Sequence, residues 1–176
     1  RTPGSLPDPD GASAGGQTQV NDLRPILVPI DFSDCSRKAL EYAEVLAEAF
    51  DAEIHLLHVW EIPPYIPPEA MVGVPGGTTQ TLTHTAHAHA TQAMSAFEDT
   101  VKKPGTRIRQ SKLESGDPSR TIVEFAKNEG HGLIVIGTHG RTGLGHLLMG
   151  SVAEKVLRRA HCPVFTVPCR TRSSGD

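Results

Sequence analysis

The chain has 176 residues, 38% hydrophobic and 21% charged, with a formal net charge of −3 and a pI near 6.3. That length favours one domain with a proper core, and the slightly acidic balance argues against nucleic acid as a partner, whose binders carry a basic footprint. No apolar run approaches the roughly 18 residues that span a bilayer, and no apolar signal-peptide core follows Arg1, so the expectation is a cytoplasmic protein with no membrane partner.

Residues 1–22 are rich in Gly, Pro, Ser, Asp and Ala and hold almost no large apolar side chain. Burial there cannot offset the ordering entropy, which predicts a disordered tail; residues 170–176 read the same way and leave a folded domain at 23–169. Ile26-Leu-Val-Pro-Ile30 is a short apolar strand. Ser33 or Asp34 then caps a helix whose apolar face is Leu40, Ala43, Leu46, Ala47 and Phe50, and Ile54 to Val59 forms a second strand.

Glu61 to Thr79 carries five prolines and three glycines and reads as a loop, long enough to be a lid or an interaction segment. A polar, Ala-rich helix over Thr81 to Val101 follows, then a strand around Arg107 to Glu114. Asp117-Pro118 opens the next helix, with Asp as N-cap and Pro at the first helical position; Ile122, Val123 and Ala126 give it an apolar face and Gly130 ends it. Leu133 to Ile136 is the fourth strand, Ser151 to Ala160 the fourth helix, and Val164 to Val167, between Pro163 and Pro168, the last strand.

Five short strands separated by helices predict an α/β fold: a single-domain, open five-stranded parallel sheet with helices on both faces. Such sheets bind ligands beyond the carboxyl ends of their strands, where the strand order reverses. Asp31 follows the first strand, and the glycine segment beginning Gly137-Thr-His-Gly140 follows the fourth. Glycines there let a backbone approach phosphate closely, and free N–H groups at a helix start favour an anion.

Gly140-Arg-Thr-Gly-Leu-Gly145 has the glycine spacing of a P-loop, but His146 and Leu147 stand where that motif needs Lys and Ser/Thr. The phosphate-contacting lysine and the magnesium-binding hydroxyl are missing from their places, so a P-loop hydrolase is not expected. There is no GxGxxG after the first strand either, which disfavours a dinucleotide dehydrogenase. What remains is Gly137-x2-Gly140-x9-Gly150-Ser151.

This spacing resembles the nucleotide-binding signature of the universal stress protein family. Ile26-Leu-Val-Pro-Ile-Asp-Phe-Ser33, Leu56-Leu-His-Val59, Gly116-Asp-Pro118 and Cys162-Pro-Val164 resemble that family's other landmarks, in the same order, over about residues 23–168. The resemblance implies an adenine nucleotide alpha-hydrolase-like sheet of strand order 3-2-1-4-5 with ATP in its crevice. Carried over, Pro29, Ile30 and Asp31 sit by the adenosine, Val59 offers backbone hydrogen bonds to adenine, and Gly137 lies near the ribose. Gly140, Arg141, Gly150, Ser151 and Val152 surround the phosphates, and His139 lies inside the phosphate loop. AMP or cyclic AMP fits the same crevice, and a Mg²⁺ ion is left open. In the resembled family the last strand, here Pro163 to Pro168, pairs across a two-fold axis, which implies a homodimer.

The implied role is a nucleotide-dependent stress-response switch or adaptor with an unknown protein partner. A slow ATP hydrolase or nucleotidyl-transferring enzyme is the rival, weakened because no His-x-x-His or His-x-Gly-His follows the first strand and no general base stands beside the phosphate site. A nucleotide-independent dimeric module engaging its partner through Glu61 to Thr79 is the other. His84, His87 and His89 fall at helical offsets of three and five, which predicts a solvated face and no metal site. His55 and His58, in a strand, read as structural. Cys35, Cys162 and Cys169 form no paired spacing and read as reduced, non-catalytic thiols.

Overall fold

Alternate residues of a buried strand point to opposite faces, and here each face is covered by a pair of helices. The computed structural model describes residues 22–61, 65–67, 69–73, 79–138 and 149–168. In chain order it contains β1 (Ile26–Pro29), α1 (Asp34–Phe50), β2 (Ile54–Trp60), β3 (Met71–Gly73), β4 (Thr79–Thr81), α2 (Leu82–Val101), β5 (Ile108–Ser115), α3 (Pro118–Asn128), β6 (Leu133–Gly137), α4 (Ser151–Arg159) and β7 (Val164–Val167). The main sheet is wholly parallel and runs β5-β2-β1-β6-β7. Counting only its own five strands, that order is 3-2-1-4-5, and it reverses between β1 and β6.

One face of the sheet buries Ile26, Val28, Ile54, Leu56 and Val135 against Ala39, Ala43 and Ala47 of α1 and Met94 and Phe97 of α2. The other buries Leu27, Leu57, Ile134 and Ile136 against Ile122 and Ala126 of α3 and Ala153 and Val156 of α4. The small alanines let α1 lie close to the sheet, which makes the central strands inaccessible from both sides. Three helices begin on side-chain caps. Ser33 accepts from Ser36 N–H, Thr81 from His84 N–H and Asp117 from Arg120 N–H, with Pro118 opening α3.

Two expectations need correction. The 61–79 segment is not loop throughout: β3 and the start of β4 lie within it and pair antiparallel, Met71 with Thr81 and Gly73 with Thr79. Strands of three residues are too short to show an alternating pattern, so the prolines and glycines around them dominated the reading. Cys35 is disulfide-bonded, whereas Cys162 is a free thiol. An odd cysteine count leaves one thiol over but does not forbid a pair. The tails expected at 1–22 and 170–176 lie, apart from Asp22, outside the described residues. Among the described residues no helix is long and apolar enough to cross a membrane.

Candidate functional site

Where the strand order reverses, the connections leaving β1 and β6 turn to opposite faces and a crevice opens between them. A cleft of about 230 Å³ lies there. Pro29, Ile30 and Asp31 line it from the end of β1, Leu57 and Val59 from β2, and Ile136, Gly137 and Thr138 from the end of β6. Pro118 and Ile122 of α3 close one side, and Gly150, Ser151, Val152 and Ala153 form the start of α4 on another.

Of the site residues expected from sequence, Pro29, Ile30, Asp31, Val59, Gly137, Gly150, Ser151 and Val152 are thus brought to one cleft. His139, Gly140 and Arg141 lie outside the described residues. Sequence reasoning missed Ser36, Leu57, Pro118, Ile122, Ile136, Thr138 and Ala153. Leu57, Pro118 and Thr138 sit in the quoted Leu56-Leu-His-Val59, Gly116-Asp-Pro118 and Gly137-Thr-His-Gly140 segments and were findable in advance. The others are ordinary core or helix-start residues whose exposure to a cleft depends on how the elements pack.

The β1 wall is shaped by side chains. Asp31 Oδ1 accepts from Ser33 N–H at 3.1 Å and from Ser33 Oγ–H at 2.5 Å. The same Ser33 Oγ accepts from Ser36 N–H at 3.3 Å, so one hydroxyl both caps α1 and holds the carboxylate. Between them Phe32 adopts φ +67°, a left-handed conformation that a side-chain-bearing residue enters at a cost of about 1–2 kcal/mol. Its ring lies 4.3 Å from that of His58 and 5.8 Å from that of Phe97, centroid to centroid.

The opposite wall is made of backbone. Gly150 N–H donates to Thr138 O at 2.6 Å, so the chain leaving β6 and the chain entering α4 meet. Gly150 is the N-cap of α4 and has no side chain to satisfy that helix's first N–H groups. Ser151, Val152 and Ala153 therefore begin a helix with open donors on the cleft, and the helix dipole adds partial positive charge. Gly137 has a packing reason of its own: a Cβ there would stand 3.0 Å from Cys35 O and 3.1 Å from Cys35 C and Cβ.

Among the described lining residues Asp31 is the single titratable side chain, with Ser36, Thr138 and Ser151 supplying hydroxyls. The rest of the lining is largely apolar. The arrangement offers a hydrogen-bond acceptor on one wall, anion-binding donors on the other, and apolar surface for a flat group between them. Near the rim, bonds from Ser119 Oγ–H and Arg120 N–H hold the Asp117 carboxyl below the usual aspartate range. On α2, the His84 ring bonds Gln80 Oε1 at 2.8 Å and the His87 ring meets Trp60 edge-on.

The model of the universal stress protein family matches residues 23–168. A universal stress protein of Methanocaldococcus jannaschii is 36% identical over 148 residues, spanning 84% of this chain and 83% of that protein. Among solved structures, the universal stress protein UspA from Lactobacillus plantarum superposes with a TM-score of 0.63 at 25% identity, covering 82% of this chain and 97% of its own. That of the universal stress protein from Archaeoglobus fulgidus in complex with dAMP does so with a TM-score of 0.56 at 25% identity, covering 81% and 96%. The chain belongs to the universal stress protein family.

Proposed function

We propose that this protein binds ATP in the cleft between β1 and β6 and acts, as a homodimer, as a nucleotide-dependent switch or adaptor in a stress response. The observation that carries this reading is the meeting of Asp31 with the Gly137, Gly150 and Ser151 backbone at one order-reversal cleft. Asp31 suits the hydroxyl groups of a ribose. The uncapped start of α4 suits phosphate oxygens. Pro29, Leu57, Val59 and Ile122 suit a purine ring, with the backbone of Val59 facing its edge.

The cleft's described chemistry favours binding over turnover. With one carboxylate and no lysine, arginine or histidine among its described lining residues, it lacks an evident pair for acid–base work. The relative bound to dAMP supports a second reading in which a nucleoside monophosphate occupies the same cleft. A two-fold contact through β7 is supported by its position at the sheet edge and by Phe165, 41% exposed, beside Tyr42, 45% exposed.

Equilibrium binding of labelled ATP tests the reading, with unlabelled AMP and cyclic AMP as competitors. Saturable binding is expected, lost at least about tenfold in Gly140→Val and Gly150→Val, as for the loss of a charge-assisted hydrogen bond or more. No saturable binding by the wild type, or equal binding by both variants, would sink it. Native mass spectrometry of the purified chain reads the dimer mass and any co-purified nucleotide in the same experiment.

A further inference from the structure

A parallel ladder uses every second residue of a strand toward each neighbour. In β2 the even-numbered residues serve β5: Ile54 N–H donates to Arg107 O and Trp60 O accepts from Gly116 N–H. The odd-numbered ones serve β1, since Glu53 O accepts from Ile26 N–H and Leu57 O from Ile30 N–H. On that spacing the next rung would run from Val59 N–H to the Ile30 carbonyl. Instead the Ile30 carbonyl accepts from His58 Nδ1 at 2.8 Å. A carbonyl has no proton to give, so Nδ1 of this buried histidine carries the hydrogen.

We propose that His58 is a positioning residue for base recognition. By occupying the Ile30 carbonyl it ends the β1–β2 ladder one rung early and leaves the N–H and C=O of Val59 turned to the cleft, as a paired donor and acceptor for the edge of a planar heterocycle. The inference deepens the nucleotide-binding reading and rests on it for the identity of the ligand. His58 does not line the cleft; it acts through the backbone of its neighbours.

The surroundings hold the imidazole in this role. Phe32, kept in its left-handed turn, lies against the His58 ring at 4.3 Å and is backed by Phe97. The Arg37 guanidinium sits 4.8 Å over the Phe97 ring and bonds Thr100 Oγ1 at 2.7 Å, pinning α1 to α2 behind it. Phe32 directly follows Asp31, so one turn sets both the carboxylate and the imidazole. The strained residue therefore has a use at the cleft without touching it.

Two measurements on His58→Leu and His58→Asn decide the matter. The asparagine amide N–H stands where Nδ1–H stood and serves as the conservative rescue. In the ligand-free protein, residue-resolved amide exchange is expected to show Val59 exchanging about tenfold or more faster than Leu57, whose rung is closed. In His58→Leu the Val59 amide slows toward Leu57 as it takes the vacated carbonyl, and in His58→Asn it stays fast. The Leu57 and Ile134 amides of the same samples report that the sheet is intact. With ligand, His58→Leu should weaken ATP binding about tenfold and leave inorganic tripolyphosphate binding unchanged, while His58→Asn keeps both.

A wild-type Val59 amide as protected as that of Leu57 overturns the proposal. So does unchanged ATP affinity in His58→Leu, or an equal loss of both ligands in both variants. If the wild type binds neither ATP nor tripolyphosphate, the nucleotide reading fails, and the exchange data still decide what His58 does to the ladder.

Discussion

Buried histidines punctuate both ends of this sheet, and they are satisfied in opposite ways. At the carboxyl end His58 gives its Nδ1 proton to the Ile30 carbonyl and is covered by the Phe32 ring. At the amino end His131 Nε2 meets His55 Nδ1 at 3.0 Å, and His131 Nδ1 is buried without a hydrogen-bond partner among the described residues. The first arrangement fixes backbone. The second joins two rings through one hydrogen bond, and burial disfavours charging them. The lesson is that the end bearing the cleft is built to hold a geometry, while the far end carries the fold's acid-sensitive joint.

The largest break in this division is expected from Gly137→Val, at the carboxyl end. The new Cβ would press on the backbone of Cys35, at the start of α1, which has no flexible end to move aside. Destabilisation of about 3 kcal/mol or more is expected, read as a lower urea midpoint, together with loss of ATP binding. A variant as stable as the wild type would show that α1 can shift, and the cleft would then be softer than its bonding implies.

The amino end should answer to pH instead. Burial first, and the neighbouring His55 second, lower the His131 pKa to about 4, and burial also lowers that of His55 against the opposing pull of Glu53 and Glu129. An unfolded histidine titrates near 6.5, so the unfolded chain takes up its proton first as pH falls. No stability is lost on this account above pH 6.5. Between about 6.5 and 4 it falls, by on the order of 2 kcal/mol, reaching its full extent below the folded value. Urea midpoints across that window check it, and His131→Phe should flatten the slope. A slope that survives the substitution would place the acid-sensitive joint elsewhere.

The two ends also differ in how far they were legible in the sequence. Glycine spacing, the Asp117-Pro118 cap and the alternation of strand and helix each reflect a local physical need, so the parallel sheet could be read directly, and the family resemblance those motifs carry pointed to eight of the cleft-lining residues. What stayed hidden depends on partners distant in the chain. Ser36 and Ile122 reach the cleft only because α1 and α3 pack on opposite faces of the same strands. His58 and His55 are alike in sequence, three residues apart in one strand. The odd offset sends them to opposite faces, one toward Phe32 and the other toward His131. The hairpin of β3 and β4 was hidden for a different reason, because three-residue strands carry no period.

The smallest expected effect is the most discriminating. Ser33 joins the α1 cap to Asp31 through one oxygen, donating to the carboxylate and accepting from Ser36 N–H. Ser33→Ala removes both bonds and should cost about 1 kcal/mol of stability, as for a lost N-cap. It should also weaken ATP binding several-fold, because the Asp31 carboxylate then loses the bond from the Ser33 hydroxyl that helps orient it. Ser33→Thr retains the hydroxyl and should restore both properties, measured by urea titration and by labelled-nucleotide binding. Because this turn lies at the carboxyl end, the acid slope governed by His131 should be the same in all three proteins. A Ser33→Ala variant that lost stability but bound ATP normally would separate the cap from the carboxylate, leaving Phe32 and His58 to set the β1 wall. One that altered the acid slope would mean that the two ends of the sheet are coupled through β1 and β2, and the division of labour between them would not hold.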